Sequence, residues 1–91
     1  MPSAQITVDR SSDTVYLVTV QDGKTRTRHE VTVTPEDVTR YAPGATPERL
    51  LEASFGFLLE REPASAILSR FALPVIAGYF PEYPQVIRQM V

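Results

Sequence analysis

SFGFLLEREPASAILSRFALPVIAGYFPEY, residues 54–83, is the stretch on which the fold turns. It holds all four phenylalanines of the chain and two of its four tyrosines. Prolines interrupt its helical apolar patterns, so the segment reads as short helices rather than one long one. Just upstream, Thr46-Pro47-Glu48 is a helix start: threonine caps free amides, proline suits the first helical position, and the acid favours the positive end of the dipole. The predicted helix runs through about Glu62, where Pro63 stops it. Within it Leu50, Ser54, Phe57 and Leu58 share one side, and Leu51, Phe55 and Leu59 widen that side to roughly half the circumference. One sheet face needs less. The helix is therefore expected to touch a sheet on one side and other helices, or a second subunit, on the other.

Downstream, residues 63–70 read as a short helix anchored by Ile67, Leu68 and Phe71. Leu73-Pro74 opens another that runs to Phe80, with Val75, Ile76, Tyr79 and Phe80 facing inward or an interface. After Pro81, residues 84–91 form a last amphipathic turn or two, with Val86, Ile87 and Met90 on one side. Upstream of the long helix, Thr34-Pro35-Glu36-Asp37 repeats the start signal and predicts a short helix that ends before Ala42-Pro43-Gly44-Ala45.

The first third is strand-like. Gln5–Val8 alternates polar and apolar residues, and Asp9–Asp13 has a turn composition. Thr14–Val20 (TVYLVTV) is rich in β-branched and aromatic residues, and Thr25–Val33 returns from an Asp22-Gly23 turn. A two-residue loop at Asp22-Gly23 sets Val20 opposite Thr25, Val18 opposite Thr27 and Tyr16 opposite His29. One face then carries Tyr16, Val18, Val20, Val31 and Val33, with Thr25, Thr27 and His29, and is the predicted core side. The other carries Val15, Leu17 and Thr19 beside Lys24, Arg26, Arg28 and Glu30, with the long basic stems covering apolar surface. Whether Gln5–Val8 pairs with this hairpin or with another subunit stays open at this level.

Ninety-one residues suit one domain, strand-rich over 1–34 and helical over 35–91. Hydrophobic residues at 43% and charged residues at 22% are ordinary values for a folded chain. A single core of this size leaves little stability margin, and there is no cysteine to staple it. No Cys/His spacing suits a structural metal, and no cofactor is expected. Self-association is the remaining common way to bury more apolar surface, which makes a homodimer or a protein partner the expectation. A net charge of −2 argues against a general polyanion binder. No apolar run is long enough to span a bilayer, and MPSAQITVDR lacks the order of a signal peptide, so a cytoplasmic location is expected.

SFGFLLEREP, then SAILSRF, then LPVIAGYFPEY resembles the signature of a family of small uncharacterised bacterial proteins, SFxFLLEREP…SIL…F.L..I..YFPEY. The similarity covers about Ser54–Tyr83, with a looser likeness in VTVTPEDVTR. Ala72 stands where the family pattern has aspartate. The resemblance implies a strand-rich N-terminus and brings no activity with it.

Candidate sites are few. His29 is the only histidine, it has Thr neighbours on a strand, and no Gly-x-Ser-x-Gly elbow exists, so a packed histidine explains it better than a catalytic one. Glu60 and Glu62 could serve as an acid/base pair, but two residues apart on a helix they face different ways. Arg61 is better explained by a reach to carbonyls at the helix end. Residues 64–80 can be read as helix-turn-helix, yet Val75–Phe80 has no side chain suited to base edges. Lys24, Arg26 and Arg28 form a basic row that a dimeric ribbon could lay into a groove of nucleic acid, although a wet charged sheet face is commoner. Leu51, Phe55, Phe57, Leu59, Tyr79, Phe80, Tyr83 and Ile87 are the interface candidates. The expectation is an α+β fold, an antiparallel hairpin or three-stranded meander followed by four to five short helices on one sheet face. Its best function is non-enzymatic: a small protein-interaction or structural module, acting as a homodimer. The alternative is a nucleic-acid-binding regulator using the basic ribbon.

Overall fold

Strand formation begins where β-branched residues alternate, and three such runs open the chain. In a computed structural model describing residues 4–91, β1 (Gln5–Arg10), β2 (Val15–Asp22) and β3 (Thr25–Thr32) form an antiparallel meander. The first strand thus pairs within its own chain, Val8 opposite Val18. The hairpin register differs from expectation by two residues. Asp22 pairs with Thr25, leaving Gly23 and Lys24 as the loop, so Val18 lies opposite His29 and Tyr16 opposite Val31. Of the two loop residues Gly23 alone takes a positive φ, 62°, which suits a type II′ turn rather than the type I′ turn that Asp-Gly suggests. A two-residue slip preserves the faces. On that face Tyr16, Val18, Val20, His29, Val31 and Val33 are buried, whereas Thr27 is partly buried and Thr25, beside the turn, is exposed.

Thr34 caps α1 (Pro35–Tyr41) through a reciprocal box: its hydroxyl accepts from the Asp37 amide at 3.2 Å, and the Asp37 carboxylate accepts from the Thr34 amide at 3.0 Å. Ala42-Pro43-Gly44-Ala45 then turns with Gly44 at φ 88°, as a type II turn demands of its third residue. Thr46 caps α2 (Pro47–Leu59), whose Leu50, Leu51, Ser54, Phe55, Phe57 and Leu58 are buried.

The next segment departs from the predicted helix. Residues 64–66 make one 3-10 turn, and the chain then extends into a three-residue strand, β4 (Arg70–Ala72). β4 runs parallel to β3, with Phe71 beside Val31, and completes a mixed sheet of order β1-β2-β3-β4. Two short helices follow, α3 (Val75–Tyr79) and α4 (Tyr83–Met90). The helix-turn-helix reading fails here, because its first helix is mostly extended and its second has only five residues.

One core joins the buried sheet face to the helices. The wide apolar arc of α2 is shared: Phe55 meets the His29 ring at 5.2 Å on the sheet side, and Phe57 meets Tyr83 at 5.3 Å toward α4. Leu51, Phe55, Phe57, Tyr83 and Ile87 are fully buried in the chain's own core. They have no surface left for a partner, which corrects their place among the interface candidates. The excess apolar arc was real, but α4 covers it. No helix among the described residues is long and apolar enough to cross a membrane.

Candidate functional site

Helix α2 ends near Leu59, and Arg61 fastens that end. Its guanidinium lies 3.6 Å from the Phe57 ring centroid, donates to the Phe57 carbonyl at 3.0 Å, and reaches Glu82 at 3.2 Å and Glu60 at 3.4 Å. This is the carbonyl-reaching role expected of it. The Glu82 carboxyl is held below the usual range, first by its own backbone amide and then by Arg61. With the turn of residues 64–66, this fastening directs the chain back across the sheet edge and opens a groove between the end of α2, β4 and α3.

The groove encloses about 280 Å³. Its base is apolar and buried: Leu58, Ile67, Phe71 and Ile76. Its rim carries Leu68, Val75 and Tyr79, exposed to 46%, 37% and 68%, with Phe80 partly buried beside them. Among the described residues, these three are the exposed large hydrophobic side chains, and all three meet at this one groove. Glu62 is the carboxylate in the lining. Of the predicted interface residues the groove brings together Tyr79 and Phe80, while Leu59 lies outside it, partly buried. Leu68 was expected to serve as a packing anchor, and Val75 to face inward or an interface. Leu68 became rim because the chain extends toward β4 (Arg70–Ala72) instead of coiling, and Val75 stands at the start of α3 on the other side of the groove.

His29 belongs to the scaffold of this groove. Its Nδ1 is 2.8 Å from the Leu68 carbonyl, which can only accept, so Nδ1 carries the proton. Nε2 sits 2.9 Å from the Thr27 hydroxyl. Both ring nitrogens are engaged inside the fold, and the first of them ties β3 to the residues that enter β4. Glu60 and Glu62 go separate ways, Glu60 to Arg61 and Glu62 to the groove. No group of three or more potential metal ligands occurs among the described residues.

The basic row is shorter than predicted. Lys24 falls in the hairpin loop rather than on the strand, leaving exposed Arg26 and Arg28 on β3. Arg26 donates to Gln21 at 2.8 Å, and the row ends at Glu30, which pairs with Arg70 at 3.1 Å. β1 adds Asp9 to the same face, beside Leu17. Asp9 and Glu30 thus lie in one line across the sheet, at the Arg28 end of the row, together with Arg70.

Comparison with protein-family models, curated proteins and solved structures yields no match.

Proposed function

We propose that this chain is a non-enzymatic protein-interaction module that acts as a homodimer, its association surface being the apolar groove between β4 and α3. The observation that carries this reading is the convergence of Leu68, Val75 and Tyr79 on a single concave surface. Scattered exposed hydrophobics are normal, whereas a clustered set around a groove marks a contact site. Arg26 and Arg28 alone form too short a basic row to favour the nucleic-acid alternative.

The test is sedimentation equilibrium over a dilution series, for the wild-type chain and for Tyr79→Glu. Tyr79 is largely exposed, so the substitution should change folding stability by no more than about 0.5 kcal/mol. The wild type is expected to shift from dimer to monomer on dilution, and Tyr79→Glu to stay monomeric throughout. A wild-type monomer at every concentration overturns the proposal.

A further inference from the structure

We infer that two copies associate by pairing β4 with β4 antiparallel, with Phe71 on the two-fold axis, so that the two sheets become one. The inference rests on the self-association proposed above and specifies its register. β4 is the last strand of its sheet. Its parallel bonding to β3 is fixed at both ends, the Glu30 amide donating to the Ser69 carbonyl at 2.8 Å and the Leu73 amide to the Thr32 carbonyl at 3.0 Å. Residues 69, 71 and 73 therefore turn their backbone groups toward β3. Arg70 and Ala72 turn theirs outward, and both residues are exposed. An unpaired edge of this kind is a template for another strand.

The edge is self-complementary. A two-fold through Phe71 sets Arg70 of each copy opposite Ala72 of the other. These are the residues whose amides and carbonyls point outward, so both pairs are of the hydrogen-bonded kind. Phe71 opposes Phe71 in a non-bonded pair, with both rings kept on the core side of the joined sheet. β4 ends at Ala72 and Pro74 is already helical, so the pairing is confined to Arg70–Ala72 of each copy. Neighbouring registers are worse. A slip of two residues one way places Arg70 against Arg70, like charges directly opposite. A slip of two the other way places Arg70 against Pro74, which has no amide to donate. A slip of one turns the apolar rim to the wrong face. The other edge, β1, has none of the exposed large hydrophobics along it. The contact is small beside the ~800 Å² per partner of a standard interface, so the dimer should dissociate on dilution.

Two experiments separate the strand pairing from groove association in general. Ala72→Pro removes an outward-facing amide that β3 does not use, and it is expected to leave the urea midpoint near that of the wild type while abolishing the dimer. The chain has no cysteine, so Arg70→Cys and Ala72→Cys can also be oxidised with glutathione disulfide, separately and mixed. In the inferred register these two positions lie about 5.5 Å apart at Cα, within disulfide reach, whereas identical positions are offset diagonally. The mixture should cross-link and each variant alone should not. Cross-linking of Arg70→Cys alone, as fast as the mixture, overturns the register. A dimer that survives Ala72→Pro but is lost in Tyr79→Glu overturns strand pairing and leaves the groove as the contact. A wild-type monomer overturns both.

Discussion

The Ser54 hydroxyl has one proton, and the Leu50 carbonyl 2.7 Å away takes it. Tyr83, also at 2.7 Å, must therefore donate to Ser54 rather than accept from it. Burial pushes the Tyr83 hydroxyl well above its usual range, so it stays a donor across the working range of pH. Ser54→Ala strands a fully buried phenol and should cost about 1–3 kcal/mol, whereas Tyr83→Phe removes the donor itself and should cost about 1 kcal/mol. Urea titrations of both single variants and the double variant will show losses that do not add. Glu82 makes the pH-dependent contribution. Its folded carboxyl lies below the ordinary value of 4.5, so its stabilisation is present above that value and is lost as pH falls through the depressed one. The stability difference between wild type and Glu82→Gln should accordingly be visible near neutrality and vanish in acid. A difference that grows on acidification would contradict it.

β4 is the element on which the candidate site depends, and it is the one that periodicity did not predict. Ile67 and Phe71 are four apart, a helical spacing, and three strand residues are too few to show an alternation of their own. The extended form prevails because β3 offers a free edge and because His29 presents a donor to the Leu68 carbonyl at 2.8 Å. His29→Phe keeps the packing against Phe55 but leaves that carbonyl without its donor. Amide exchange is expected to speed up at Glu30 and Leu73, the amides that bond across the β3–β4 ladder, and to stay unchanged along β1–β2. Equal acceleration throughout the sheet would mean that His29 supports the whole core rather than β4. The caps behave more simply. Thr34 and Thr46 were legible as helix starts because capping is local chemistry, and Thr34→Ala should cost about 1 kcal/mol in the same titrations.

At the scale of the whole molecule, association through an apolar groove and association through a basic face answer oppositely to salt. Sodium sulfate strengthens apolar burial, while phosphate contacts by arginine weaken steeply with ionic strength. The dimer is expected to tighten in sulfate and to be indifferent to Arg26→Ala combined with Arg28→Ala. Weakening by salt would point instead to the β3 arginines. The sequence by itself determined the α+β class, the antiparallel β2–β3 hairpin, the buried side of the sheet and the starts of α1 and α2. Each of these follows from interactions within a few residues: alternation, β-branching, a capping hydroxyl, a proline at the first turn. Tertiary structure alone decided that residues 70–72 join the sheet and that Phe57, Tyr83 and Ile87 pack within one chain. It alone also left Leu68, Val75 and Tyr79 at the surface. Those outcomes depend on which free edge and which apolar face remain when the rest of the chain has packed, and no local pattern carries that information.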